Sequence, residues 1–141
     1  MRPKIAVVGT GAVGGYAGGH MAQAGEDITF LDPWPEHVER MRSHGLRISH
    51  ITGEEFTTKV RALHLTDAQQ LAKEAPIDIA FVCMKSYDTE WATTLISQYL
   101  SPNGFIVSLR DSLDGNKCIR VSPHFYNTEE EIARFLDGLP D

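Results

Sequence analysis

The chain has little that could fix it by covalent or metal cross-links. Its two cysteines, Cys83 and Cys118, lie far apart, and neither forms a Cys-x-x-Cys or Cys-His spacing. A disulfide framework and a zinc site are therefore not expected, and a reducing cytoplasm is the expected location. None of the six histidines pairs with another at i,i+4, and His37 and His44 share their helical segment with Glu36 and Glu39, which read as its polar face; no metal is expected. Basic tracts are absent too. With 13 Lys and Arg against 19 Asp and Glu, the net charge is -6, which argues against nucleic acid or an anionic membrane as partner. No run approaches the length of a membrane-spanning helix. There is also no internal repeat or low-complexity linker, so 141 residues read as one domain, 1–141. With 42% hydrophobic residues it has material for a single core.

Glycine is plentiful, and it is concentrated at the start. The opening MRPKIAVVGTGAVGGYAGGHMAQAG has early positive charge, an apolar stretch and a small-residue end, as secretory signals do. Gly9, Gly11, Gly14, Gly15, Gly18 and Gly19 interrupt the apolar run such a signal needs. Their spacing suits a strand, a tight turn and a helix instead.

Downstream, short apolar runs alternate with amphipathic segments, the pattern of a parallel sheet covered by helices. KIAVVG (4–9) reads as a strand buried on both faces, and residues 12–24 as a helix ending at Gly25. DITFLD (27–32) is a second strand, and a helix follows from about Trp34, with Pro35 in its first turn and Gly45 after its end. LRISHI and EFTTKVRAL flank Thr52-Gly53 as a hairpin. Thr66-Asp67 opens a helix to about Glu74, IDIAFVCM (77–84) is another buried strand, 87–100 a helix and GFIVSL (104–109) a strand. The expected fold is α/β: a Rossmann-type, doubly wound, mostly parallel sheet with a C-terminal strand and helix added.

The motif GTGAVG carries the chemistry. Gly9 permits the turn off the strand, Gly11 lets backbone approach a pyrophosphate, and Gly14 lets helix and strand pack closely. The helix N-terminus offers free N–H groups and a positive dipole end. Gly9, Thr10, Gly11, Ala12, Val13 and Gly14 are thus candidate dinucleotide-binding residues. Asp32 ends the next strand, where a carboxylate can accept bonds from both ribose hydroxyls of NAD but would repel the 2′-phosphate of NADP. NAD is the expected cofactor and NADP the alternative. Asp32 is equally placed to cap the helix near Trp34, and Arg40 or Arg42 could still reach a phosphate. Cys83, after a buried strand, reads as an inert packed thiol.

The stretches KIAVVGTGAVGGYAGGHMAQAG, DPWPEHVERMRSHGLRI and FVCMKSYDTEWATTLISQYLSPNGFIVSL resemble the N-terminal domain of ketopantoate reductases (2-dehydropantoate 2-reductases) over residues 3–109. The resemblance implies that Lys85, after the strand 78–82, lies beside cofactor and substrate, with Cys83 and Met84 bordering the cofactor at the same strand end. Two departures stand out. Where that family usually carries Gln-Asn-Gly, this chain reads Arg-Asp-Ser at 110–112. The family's second, helical domain, which supplies the acid/base lysine and the substrate-binding carboxylate, is not expected within this length.

DGNKCIRVSPHFYNTEEEIARFLDGL resembles instead the C-terminal end of class V pyridoxal-phosphate aminotransferases, over about 111–139. That likeness implies a carboxylate-binding role for Arg120, but the cofactor lysine and large domain of those enzymes are missing, so no pyridoxal phosphate is expected. The two likenesses suggest a chimera joined near 109, with 110–141 a grafted strand and helix. Physically the graft covers a strand edge. The link from Leu109 to Lys117 is too short for a parallel crossover, so 118–122 should run antiparallel to 104–108, with a helix over 128–138 capped by Asn127 or Thr128. The alternative is a strand-and-helix swap into a homodimer. Three functions follow: a dinucleotide-binding domain without turnover of its own, an oxidoreductase completed by a partner or dimer, or a non-binding scaffold.

Overall fold

A computed structural model of the chain describes residues 2–111 and 117–122. The β-branched run Lys4–Val8 forms β1, buried from Ile5 onward. It leads through the glycine turn into α1, Ala12–Gln23. β2 is Asp27–Asp32. α2, Pro35–His44, starts with a proline in its first turn, where no N–H is needed, and stops at Gly45. β3 (Leu46–Ser49) and β4 (Glu55–Thr58) pair antiparallel as a separate two-stranded sheet. β5 is Arg61–His64, β6 Ile77–Val82, α3 Thr89–Ser97, β7 Leu100–Asp111 and β8 Lys117–Ser122.

The six-stranded sheet has the order β5-β2-β1-β6-β7-β8. All of its pairs are parallel except β7 with β8. The chain winds outward from β1 in both directions, the doubly wound Rossmann topology, so the switch point lies between β1 and β6. Strand periodicity divides the core in two. Ala6, Val8, Leu31 and Val82 pack under Ala92 and Ile96 of α3 and under Ala68 and Leu71. On the opposite face, Ile5, Val7 and Phe30 pack under Val38 and Met41 of α2 and Leu46 and Ile48 of the small sheet. Phe30 is fully buried, a burial worth roughly 1.5–3 kcal/mol. It lies so close to α1 that a Cβ at Gly18 would come within 2.4 Å of its ring.

Several sequence expectations are corrected here. The expected hairpin arm 55–63 is two strands: β4 stays with β3, and Arg61–His64 crosses to the main sheet, pairing Leu31 with Leu63 and Asp32 with His64. Ala62 and Leu63 are buried, and that burial in the large core outweighs continued alternation in a small two-stranded sheet. The helix expected from Thr66 is a 3-10 segment, Leu65–Lys73. The helix expected over 87–100 is shorter: a 3-10 turn at Ser86–Asp88 precedes α3, and Leu100 already pairs with Ile77 in β7. The antiparallel expectation for 118–122 agrees with β8, which pairs Val107 with Val121 and Asp111 with Lys117. The expected helix 128–138 lies outside the described residues.

At the amino ends of the strands a charged cluster ties β1, β5 and the end of the 3-10 segment together. Glu74 receives Lys4 Nζ at 2.6 Å and Arg61 Nη1 at 2.7 Å, and Arg61 Nη2 bonds its second oxygen. Bonding first to Arg61 and then to Lys4 holds the Glu74 carboxyl down at about 2. A depressed folded-state value gives stability that is present above the unfolded carboxylate value of about 4.3 and lost as pH falls toward the folded one. Glu74→Gln is therefore expected to lower the urea midpoint at pH 6, with the deficit narrowing steadily between pH 4.5 and pH 2.5. Urea titrations across that range check it, and a deficit independent of pH would remove the ion cluster as the cause.

Candidate cofactor site

The carboxyl ends of β1, β2 and β6 converge on the glycine turn. Gly9 donates to Leu31 O at 2.8 Å and Cys83 N donates to Val8 O at 2.8 Å, so the turn is stitched to both neighbouring strands. Gly9 has φ 94°, a conformation that only glycine adopts freely. A Cβ there would lie 2.5 Å from Met84 Sδ, and one at Gly14 would lie 1.9 Å from Gly9 O and 2.9 Å from Cys83 Cβ. Turn, helix and β6 end are therefore in backbone contact. Gly11 is different, since a Cβ there would meet nothing within 4 Å. It is the N-cap of α1 and provides no side-chain cap, leaving the first N–H groups of the helix facing an opening. Thr10 is 4% exposed, and its Oγ1 has no partner among the described residues. Ala12 and Val13 form the more exposed first turn of α1.

Asp32 is 7% exposed and acts in two directions. Its Oδ2 accepts from Thr10 N at 2.8 Å and its Oδ1 from Trp34 N at 2.9 Å. Asp32 does not cap α2, whose N-cap is Trp34 without a side-chain cap bond; it instead holds the turn before the helix and ties it to the glycine turn, a link that sequence reasoning did not expect. Each carboxylate oxygen keeps a further lone pair for an outside donor. Arg42, expected as able to reach a phosphate, is committed elsewhere: Nη1 to Glu39 at 2.7 Å, Nη2 to Asp67 at 3.0 Å and Nε to Ala62 O at 2.9 Å. Asp67 and Glu39 raise its pKa further.

Two histidines complete the framework. His37 Nε2 lies 3.0 Å from Thr10 O, an acceptor, so this nitrogen donates. His64 Nε2 likewise donates to Pro33 O at 2.9 Å, while its Nδ1 accepts from Thr66 N at 3.3 Å and caps the 3-10 segment. The signal for His64 was available in outline: it ends β5 as Asp32 ends β2, and the two are register partners. Among the described residues no three His, Cys, Asp or Glu side chains gather as metal ligands.

The β6 end supplies the other rim. Cys83 and Met84 touch the turn as described, whereas Lys85 is exposed and its ammonium bonds no described side chain. Its carbonyl accepts from Asp88 N at 2.9 Å and Thr89 Oγ1 at 3.2 Å. Beyond it, Leu65, Tyr87, Glu90, Trp91 and Leu95 line an open groove of about 620 Å³ along α3.

A family model for ketopantoate reductase PanE/ApbA matches residues 5–122. The chain belongs to the ketopantoate reductase PanE/ApbA family. A 2-dehydropantoate 2-reductase of Nostoc sp. is 27% identical over 133 residues, which is 94% of this chain and 35% of that protein. The PanE/ApbA family ketopantoate reductase of Ralstonia eutropha superposes with a TM-score of 0.66 at 29% identity, covering 79% of this chain and 35% of the other. D-mandelate dehydrogenase, solved with NADH and anilino(oxo)acetate, shares the fold with a TM-score of 0.66 at 23% identity, covering 94% of this chain and 37% of that one. This family member thus spans about a third of the length of such relatives. The family match runs past Leu109, where the sequence suggested a join, and takes in β8.

Burial pushes the Cys83 thiol up to about 12, so its reactive thiolate is scarce at neutral pH. In a Cys118→Ser background, Cys83 is expected to react with iodoacetamide at pH 8 at least about tenfold more slowly than in the urea-unfolded chain, where the thiol returns to about 8.5. Native and unfolded rates followed by mass spectrometry check this. Equal rates would mean that the β6 end opens freely.

Proposed function

We infer that the chain is a ketopantoate-reductase-type module that binds NAD(H) and performs no turnover alone. The observation that carries this reading is the uncapped N-terminus of α1 at Gly11, whose missing Cβ leaves open space where a pyrophosphate fits against N–H groups and the positive helix end. Gly9, Thr10, Gly11, Ala12, Val13 and Gly14 would hold the pyrophosphate through backbone groups, and the unpartnered Thr10 Oγ1 is a further donor at that turn. Asp32 would receive the adenosine ribose on its remaining lone pairs, while Cys83, Met84 and Lys85 would border the nicotinamide half. A nicotinamide, when bound, supplies or takes a hydride; the chain's own part is to orient it and exclude water on one side.

NAD is preferred over NADP in this reading. A 2′-phosphate would meet the Asp32 carboxylate as a like charge, with Glu36 close in sequence and Arg42 already paired to two acids. Absence of turnover rests on Arg-Asp-Ser at 110–112, where an asparagine would help hold cofactor and substrate. A second reading, an oxidoreductase completed by a partner or by dimerisation, draws on Lys85, an exposed cation left unbonded by described side chains at the rim. The reading treats 5–122 as one unit, because the family match and the β7–β8 ladder both run through the suggested join. No described helix is long and apolar enough to cross a membrane, and a cytoplasmic setting suits the free thiol of Cys83.

Fluorescence titration should show NADH binding at least about tenfold tighter than NADPH, with no ketopantoate-dependent NADH oxidation above trace. Gly11→Asp separates binding from folding. An aspartate at this N-cap should leave the melting temperature unchanged or raise it slightly, yet abolish NADH binding by filling the opening with negative charge. Asp32→Ala should weaken NADH, narrow the preference over NADPH and also destabilise the fold by about 1.5–3 kcal/mol, because two backbone donors lose a charged acceptor. NADPH binding as tight as NADH in the wild type would overturn the ribose assignment. No binding of either nucleotide would overturn the function itself.

A further inference from the structure

Trp34 carries a large, bare aromatic side chain on a fixed stretch of backbone. Its indole is 65% exposed and takes no part in the ring contacts among the described residues, which join Tyr16, His20, His50 and Phe56. Its backbone, by contrast, is fixed on every side. The N–H donates to Asp32 Oδ1 at 2.9 Å, and the carbonyl accepts from Val38 N at 3.1 Å as the first bond of α2. Pro33 and Pro35 flank it, and the Pro33 carbonyl is itself held by His64 at 2.9 Å. Each proline locks its own φ and restricts the residue before it. An exposed tryptophan on a mobile loop would lose backbone as well as side-chain entropy on meeting a ligand; here the backbone share has already been taken in folding.

The position gives this rigidity a use. Trp34 lies two residues beyond Asp32, at the carboxyl edge of the sheet and on the β5 side of the switch point. A dinucleotide with its pyrophosphate at Gly11 and its ribose at Asp32 must project its base past Asp32. The segment that meets it, Asp32-Pro33-Trp34-Pro35-Glu36, contains no cation and one aromatic face. We propose that Trp34 is the adenine platform of this site, stacking its indole on the purine, an inference that rests on the cofactor reading above. Stacking selects for a planar base while the neighbouring acids disfavour extra phosphate, so the five residues together choose an unphosphorylated adenosine.

The test uses the full chain with three probes, NADH, ADP-ribose and AMP, read by calorimetry and by tryptophan emission. In the wild type each probe should quench emission. Trp34→Ala should weaken all three at least about fivefold, in keeping with base-aromatic stacking, while Trp34→Phe should recover most of the affinity. Thermal melting of both variants should match the wild type, since the side chain is mostly exposed. Gly11→Asp should lose NADH and ADP-ribose whatever the platform is. Trp34→Ala binding all three probes as the wild type does, with Gly11→Asp still deficient, would overturn the platform and leave the cofactor site standing. A loss carried by Tyr87→Ala, in the groove along α3, in place of Trp34→Ala would overturn the platform in the same way. Wild-type protein that binds none of the three would overturn both.

Discussion

One buried carboxylate joins the parts of this site. Asp32 accepts from Thr10 in the glycine turn and from Trp34 at the head of α2, so two loops that belong to different crossovers share one anchor. Charged acceptors of this kind are stronger than neutral ones, and in a nearly closed environment the two N–H groups have no equivalent alternative. His37 repeats the link between α2 and the turn by donating to the Thr10 carbonyl, and His64 extends it to β5 through Pro33. The mouth of the sheet is therefore a small polar lattice whose members also happen to face the place where a ligand would lie.

Around that lattice the close contacts are made by backbone. A Cβ at Gly14 would come within 1.9 Å of the Gly9 carbonyl and 2.9 Å of the Cys83 Cβ, so helix, turn and β6 end are as near as a polypeptide allows. Close-packed interiors resist even one added methyl group. The opening at Gly11 contrasts with this tightness: behind the turn the glycines have no room for a Cβ, whereas at Gly11 a Cβ would meet nothing within 4 Å.

The parts of this arrangement that rest on local chemistry were readable from the sequence. The β1–turn–α1 unit, β2 ending at Asp32, and α2 framed by Pro35 and Gly45 all announce themselves through glycine, proline and β-branched residues. What escaped depends on tertiary competition. EFTTKVRAL alternates throughout and so reads as one strand, yet Arg61–His64 gains more by burying Ala62 and Leu63 in the large core. The segment after Leu65 has helical patterning but settles as 3-10, and nothing in its composition distinguishes the two. At the site, the glycine turn and the place of Asp32 at the end of β2 were legible, whereas its expected cap on α2 is replaced by a bond to Trp34 N before the helix. The bond to Thr10 was not, because residues 22 apart meet only once the sheet exists. The histidines gave no signal as metal ligands or as catalysts; their use as backbone clasps follows from register.

The reversed direction of β8 shapes one margin of the sheet. β7 runs with β6 and ends at Asp111, three residues beyond the Ser108 that pairs with Val82 at the end of β6, and β8 starts beside it at Lys117 and finishes at Ser122, level with Ile106 and Ala80 in the middle of the sheet. A strand advances about 3.3 Å per residue, so the paired ends at Asp111 and Lys117 stand roughly 10 Å beyond the carboxyl end of β6. A strand that pairs backward at the margin thus raises one border of the sheet past its neighbours, on the β6 side of the glycine turn.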